Sequence, residues 1–163
     1  MRRGGAADIA VDLQKKLSAR FTLGELIKSE TASRRGIANI PCPAELAALQ
    51  LLCIHVLEPV RVHFGRPAVS TSGFRSPLLN AAIKGSASSQ HSRGEADDFT
   101  MPRASNLKVC RWIHRHLNYD QLIYESGETG WIPCSYSARQ MRNSELSAMR
   151  RGGKTVYLTG IIA

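Results

Sequence analysis

The chain has 163 residues, of which 43% are hydrophobic and 21% are charged, which is ordinary for one soluble globular domain. A domain of this length buries roughly two thirds of its unfolded surface, so it needs no disulfide or structural metal to fold. The net charge of +9 suits an anionic partner, such as a bacterial wall polymer or nucleic acid. Nucleic acid is the less expected of the two, because no recognition helix or aromatic RNA-binding motif accompanies the basic residues.

Neither a membrane span nor a secretory signal is expected. No apolar run approaches the length that crosses a bilayer, and the N-terminal MRRGGAADIAVDLQKKL lacks an apolar segment after its basic residues. We therefore expect synthesis in the cytoplasm and no membrane partner. The four cysteines form no CxxC pair, which favours reduced, structural thiols.

The first predicted element is a short helix. Thr22 and Glu25 can form a capping box, and Phe21 can pack on Leu26 across the helix start. The helix is expected to extend to about residue 29, and a polar loop to follow as far as residue 39.

The central core helix is predicted over residues 43–64. Its apolar positions recur at helical spacing on one stripe: Leu46, Leu49, Cys53, Val56, Leu57, Val60 and Phe64. Pro59 should kink or weaken this helix, and Gly65 should end it.

Shorter elements are predicted along the rest of the chain. Residues 120–125 and 131–137 should form a hairpin across the loop SGETG. The others are a strand at 68–72, a helix at 78–83, an amphipathic helix at 106–117 and a last strand at 154–159.

Histidine and aspartate stand seven residues apart, at His91 and Asp98, in the segment SSQHSRGEADDF. Both are ordinary zinc ligands, and a catalytic zinc site needs three protein ligands with a fourth position left for water. The spacing alone is weak support, since a lone His and Asp in a loop are more often hydrogen-bonded structure. The segment is a candidate for part of a metal site.

Five segments in order, FTLGELIKSETA, NIPCPAELAALQLL, VLEPVRVHFGRP, STSGFRSPLLNAAIKGSASSQHSRGEADDF and DQLIYESGETGWIPCS, resemble the zinc D-Ala-D-Ala carboxypeptidase family of peptidoglycan peptidases. The resemblance covers residues 21–137. It implies a small single α+β domain, hedgehog-like, with an antiparallel sheet and flanking helices. Within a single domain over 1–163, residues 1–20 would be an N-terminal extension and 138–163 a basic C-terminal segment.

The resemblance implies roles for the residues that match the family's motifs. His91 and Asp98 correspond to the first two zinc ligands, and Arg75 to an arginine that holds a substrate carboxylate or carbonyl. The alternative for Arg75 is a salt bridge within its loop. Asp97 replaces a small apolar residue and would put an extra carboxylate beside the site.

Further substrate contacts are expected near these positions. Ser89 and Gln90 should shape the ligand loop and contact substrate, and Trp131 should add to substrate binding. The catalytic carboxylate is assigned to Glu125, with Glu128 second, although Glu125 could equally be an exposed acid at a strand end.

The third zinc ligand should be the histidine of a Trp-Val-His-Val-Ser segment. Here the corresponding residues 131–135 read WIPCS, so Pro133 occupies the place of the histidine and offers no ligand atom. Cys134 is a good zinc ligand chemically, but on a regular strand it faces the opposite side from residue 133. Only a bulge or a register shift would turn it inward. Zinc is therefore the expected cofactor, held weakly or not at all.

Two functions follow from the resemblance. The first is a phage-encoded or prophage-encoded zinc peptidase, of carboxypeptidase or endopeptidase type, that cleaves peptidoglycan stem peptides at the bacterial wall. The second is a catalytically impaired homologue that serves as a wall-binding or virion structural module, with other phage proteins as further partners.

Overall fold

Six strands form one sheet in the computed structural model, which describes residues 11–162. The strands are β1 Val69–Ser72, β2 Ala96–Thr100, β3 Gln121–Glu125, β4 Ile132–Ser135, β5 Ser144–Arg151 and β6 Lys154–Thr159. Their order across the sheet is β1-β2-β4-β3-β5-β6. Of the predicted N-terminal extension, residues 1–20, residues 1–10 lie outside the described residues.

Within residues 11–162, five helices flank the sheet. They are α1 Leu23–Ile27, α2 Glu30–Arg35, α3 Pro43–Phe64, α4 Pro77–Ala82 and α5 Asn106–His116. The predicted α+β class is confirmed. The sheet is mixed rather than wholly antiparallel, because β3 and β5 pair in parallel.

Helix α1 begins as its sequence predicts. The Thr22 amide and hydroxyl donate to a Glu25 carboxylate oxygen at 2.7 and 2.8 Å, and Phe21 and Leu26 are both buried. Helix α2 was missed, because a polar loop was expected there. Its signals are local: the Ser29 hydroxyl accepts a hydrogen bond from the Ala32 amide, and Gly36 ends the helix in the left-handed region at φ 61°.

Helix α3 carries the core. Its residues 49, 52, 53, 56, 57 and 60 are fully buried, and Gly65 ends it at φ 60°. The expected weakening near Pro59 takes the form of a π-helical stretch, Cys53–Leu57, just before the proline, which has no amide hydrogen to donate. By length and composition alone α3 could also cross a membrane, a test that the core helix of a globular domain passes as well.

The C-terminal segment extends the sheet. Strand β6 was predicted, whereas β5 was not, since SELSAMRR has no clear alternation of apolar and polar residues. Helix α5 lies on the core side of β3, with Val109, Cys110 and Ile113 fully buried. The opposite side of the sheet is left to the candidate site.

Candidate active site

Strands β2 and β4 pair so that the two aspartates of β2 face opposite sides of the sheet. Asp98 lies opposite Pro133, and Asp97 lies opposite Cys134. Successive side chains on a strand alternate between faces, so Asp98 and Pro133 share one face while Asp97 and Cys134 share the other. Asp97 and Cys134 are both buried, at 0% and 2% exposure, and their face is the core.

The face of the sheet that carries Asp98 and Pro133 is called the site face. A short 3₁₀ turn, Gln90–Arg93, holds His91 over this face of β2. Its Nδ1 lies 2.8 Å from the carbonyl oxygen of Gly73, which can only accept, so Nδ1 carries the proton. The other ring nitrogen, Nε2, lies 3.5 Å from Asp98 Oδ1. The expected closeness of His91 and Asp98 is therefore present in the structure.

Two glycines permit this arrangement. A Cβ at Gly73 would lie 2.3 Å from the carbonyl oxygen of Leu26, so only glycine lets the SGF segment reach His91. A Cβ at Gly94 would lie 2.3 Å from the Glu45 carbonyl oxygen, and its φ of 70° also favours glycine. Both glycines therefore let the segments on either side of His91 pack closely against helices α1 and α3.

Arg75 contacts Asp98 directly. Its Nη2 donates to Asp98 Oδ2 at 2.9 Å, and its Nε donates to the Ser72 hydroxyl at 2.8 Å. The side chains of Arg75 and Asp98 are 17% and 14% exposed, so the ion pair is largely shielded from water. The alternative for Arg75 was a salt bridge within its own loop, whereas the observed ion pair joins the arginine to a predicted zinc ligand on β2.

Glu125 lines the same cleft as His91 and Asp98, together with Trp131. Burial, and then the charge of Asp98, raise the pKa of Glu125 above the usual carboxyl value, against a smaller lowering effect of a hydrogen bond from Trp131. A raised pKa is suited to proton transfer near neutral pH. Trp131 is 42% exposed and can contact a ligand at the mouth of the cleft.

Glu128, the second choice for the catalytic carboxylate, has a different task. Its carboxylate accepts from the Ser105 hydroxyl and from the amides of Asn106 and Leu107, at 2.8–3.1 Å, and so caps helix α5. Burial alone would raise the pKa of Glu128, but these hydrogen bonds lower it. Its assignment as a catalytic group is wrong.

The cleft has a volume of about 330 Å³. Gln90 lines it as predicted, and its Nε2 donates to Asp120 at 2.8 Å, whereas Ser89 lies in a neighbouring hollow instead. Gln121 and Ile123 of β3 also line the cleft and were missed. Their alternation with Leu122 and Tyr124, which face the core, was the available signal.

The side chains that could bind a metal ion at the cleft show whether a zinc ion fits there. Within residues 11–162, no three His, Cys, Asp or Glu side chains are grouped so that they could hold a metal ion together. His91 and Asp98 supply two donors, and Pro133, on the same face, supplies none. These residues do not fit a three-ligand catalytic zinc site.

Cys134 does not complete the site. It faces the core, and burial raises the pKa of its thiol strongly, which disfavours the thiolate that binds zinc. Asp97 is not beside the site either, as its carboxylate points into the core and accepts from the Ser70 hydroxyl at 2.5 Å. The expectation of an extra carboxylate at the metal position is wrong, because alternation along β2 turns residue 97 away.

A family model described as Peptidase M15 matches residues 19–134, more than two thirds of the chain. The chain belongs to the peptidase M15 family. The matched region includes β1 to β3 and most of β4, and hence every residue that lines the cleft of His91, Asp98 and Glu125 except Ser135. A comparison with curated proteins finds no match.

Membership in the M15 family supports a peptidase-like function on peptidoglycan-type substrates. The peptidases of this family are zinc-dependent. The M15 member described here has a cleft with a histidine, two acids and an arginine, but residues 11–162 do not complete a three-ligand metal site.

Proposed function

We propose that this M15 family member binds peptidoglycan stem peptides and binds them much better than it hydrolyses them. The observation that carries the proposal is the position of Pro133, directly opposite Asp98 on the site face of the sheet. Proline has no ligand atom, so within the described part of the chain this face offers two metal donors, His91 and Asp98, where a catalytic zinc site needs three.

Peptide binding does not depend on the third ligand. Gln90, Gln121 and Trp131 line the cleft with amide groups and an exposed indole, which can pair with a peptide backbone and pack on its side chains. The net charge of +9 attracts anionic wall polymers over a longer range. The binding function therefore rests on groups that the chain has.

Hydrolysis meets a second obstacle besides Pro133. Arg75 Nη2 already donates to Asp98 Oδ2, so a metal that used this oxygen would have to displace the guanidinium group. The same contact keeps Arg75 from offering that donor to a substrate carboxylate. The first effect disfavours hydrolysis, and the second means that peptide binding has to rely on groups other than this donor of Arg75.

A second candidate function is the zinc-dependent peptidase itself, of carboxypeptidase or endopeptidase type, with its metal site completed by a group outside the described residues. His91 Nε2 and Asp98 Oδ1, 3.5 Å apart, favour this candidate. So does Glu125, whose raised pKa suits proton transfer near neutral pH.

The place of action belongs to the same proposal. A protein that holds stem peptides would act at the bacterial wall or in a virion that must attach to it, and a phage or prophage origin agrees with either. Membrane and nucleic acid are not proposed as partners.

Incubation with purified sacculi tests the proposal. Wild type and His91→Ala are each incubated with and without added zinc, and both the protein that sediments and the soluble peptide released are measured. We expect both proteins to sediment with sacculi and neither to release peptide. Zinc-dependent release by wild type alone would establish the second candidate, and failure of both proteins to sediment would overturn the first.

A further inference from the structure

A second hollow adjoins the cleft. It has a volume of about 700 Å³ and shares Gln90 and Gln121 with the cleft, so these two side chains lie between the two spaces. Three arginines line it, Arg93, Arg139 and Arg142. Two of the three, Arg139 and Arg142, follow the segment that matches the family.

Buried carboxylates hold these arginines in place. Glu95 accepts from Arg93 Nε at 2.8 Å and from Arg139 Nη2 at 3.1 Å. Asp120 accepts from Nε and Nη2 of Arg142 at 2.7 and 2.5 Å. The guanidinium groups are thus fixed by ion pairs rather than free to rotate in solvent.

The two signs of charge differ in exposure. The side chains of Glu95 and Asp120 are 7% and 2% exposed, whereas those of Arg93, Arg139 and Arg142 are 40%, 75% and 42% exposed. A ligand in the hollow therefore meets guanidinium N–H donors, with the acids hidden behind them. Ser86, Ser88 and Ser89 line the same space with further polar groups.

An exposed guanidinium group that a buried acid holds in place is suited to an anion with two oxygens, which it can bind by paired, charge-assisted hydrogen bonds. We propose that the hollow is a second binding subsite, which holds a carboxylate of a peptide whose backbone lies in the neighbouring cleft. The ligand class is a peptide with at least one free carboxylate, of which stem peptides are an example.

This inference rests on the proposed function, since it concerns how the same cleft recognises its peptide. Stem peptides contain free carboxyl groups both inside the chain, on the glutamyl residue, and at the C-terminus. The shared chemistry is the carboxylate, and the experiment separates its two sources.

The test measures dissociation constants by calorimetry for three synthetic stem pentapeptides. The first has all carboxyl groups free, the second is amidated only at the internal glutamyl carboxyl, and the third only at the C-terminus. We expect one of the two amidations to weaken binding to wild type by about threefold to tenfold, the range of one solvent-exposed, charge-assisted contact.

Arg139→Gln is the diagnostic variant, because Glu95 keeps its bonds from Arg93 and Ser137 and the fold should persist. The variant should bind the peptide with all carboxyl groups free about as weakly as wild type binds the amidated peptide whose affinity is reduced. For the variant, these two peptides should therefore have equal dissociation constants. Arg151→Gln is the matched control, since Arg151 is an exposed arginine at the end of β5, outside the hollow, and it should behave as wild type.

Three results would overturn the inference. If wild type binds all three peptides equally, or if Arg139→Gln keeps the full difference between them, the hollow holds no carboxylate, while the proposed binding function stands. If wild type binds none of the peptides, the proposed function and the inference fail together.

Discussion

Pro133→His is expected to raise the zinc affinity of the chain. The Cα of residue 133 is the cross-strand partner of Asp98, and a side chain there projects from the site face of the sheet. His91 Nε2 and Asp98 Oδ1 are 3.5 Å apart on that face. An imidazole at position 133 would therefore join two donors already in place and leave the fourth position open.

The size of the increase follows from what a ligand contributes. Loss of an outer hydrogen-bond partner costs about 10 to 100-fold in metal affinity, and a direct ligand should be worth at least the upper value. A 100-fold change corresponds to about 2.7 kcal/mol. Displacement of Arg75 from Asp98 opposes zinc binding in both proteins, so it cancels in the comparison.

Calorimetric titration with zinc measures the difference. Pro133→Ala is the matched control, because it removes the proline ring without adding a ligand, and it should bind zinc as weakly as wild type. Equal affinities for wild type and Pro133→His would refute the reasoning, since they would mean that another group already completes the site or that residue 133 does not face it.

Three further outcomes are expected. Cys134→Ala should leave zinc affinity unchanged, because this thiol faces the core, which the same titration checks. Arg142→Gln should lower the free energy of unfolding by about 1–2 kcal/mol at pH 7. Burial alone would raise the pKa of Asp120, but the hydrogen bonds from Arg142 lower it. The stabilisation by Arg142 is therefore present above about pH 4, and it should disappear when unfolding is measured at lower pH. Asp97→Asn should raise the free energy of unfolding more at pH 8 than at pH 4. Burial raises the pKa of Asp97, against a smaller lowering effect of the hydrogen bond from Ser70, so wild type loses stability as the pH rises above about 4. An equal gain at both pH values would contradict a raised pKa.

Elements with a strong local pattern were predictable. The capping box at Thr22 and the apolar stripe of α3 each reflect spacing within one helix, and both are present in the structure. Alternation along β4 also indicated that Pro133 and Cys134 face opposite sides, as their partners in β2 show. Strand β5 was missed, because it pairs in parallel with a strand about twenty residues away and its own sequence does not alternate.

The site was predictable only as far as its motifs extend. The closeness of His91 and Asp98 followed from a resemblance, and the structure places them 3.5 Å apart. The contact of Arg75 with Asp98, and that of Arg139 with Glu95 in the second hollow, join residues far apart in sequence. No local spacing encodes such contacts, so they appear only once the sheet is formed.

Metal analysis of protein purified without chelator most directly tests the central claim, that the residues the structure describes do not form a complete zinc site. With two protein ligands and an arginine on one of them, we expect far less than one zinc per chain after dialysis against metal-free buffer. One tightly held zinc per chain, lost in His91→Ala, would contradict the claim and make the protein a zinc peptidase with a third ligand other than residue 133.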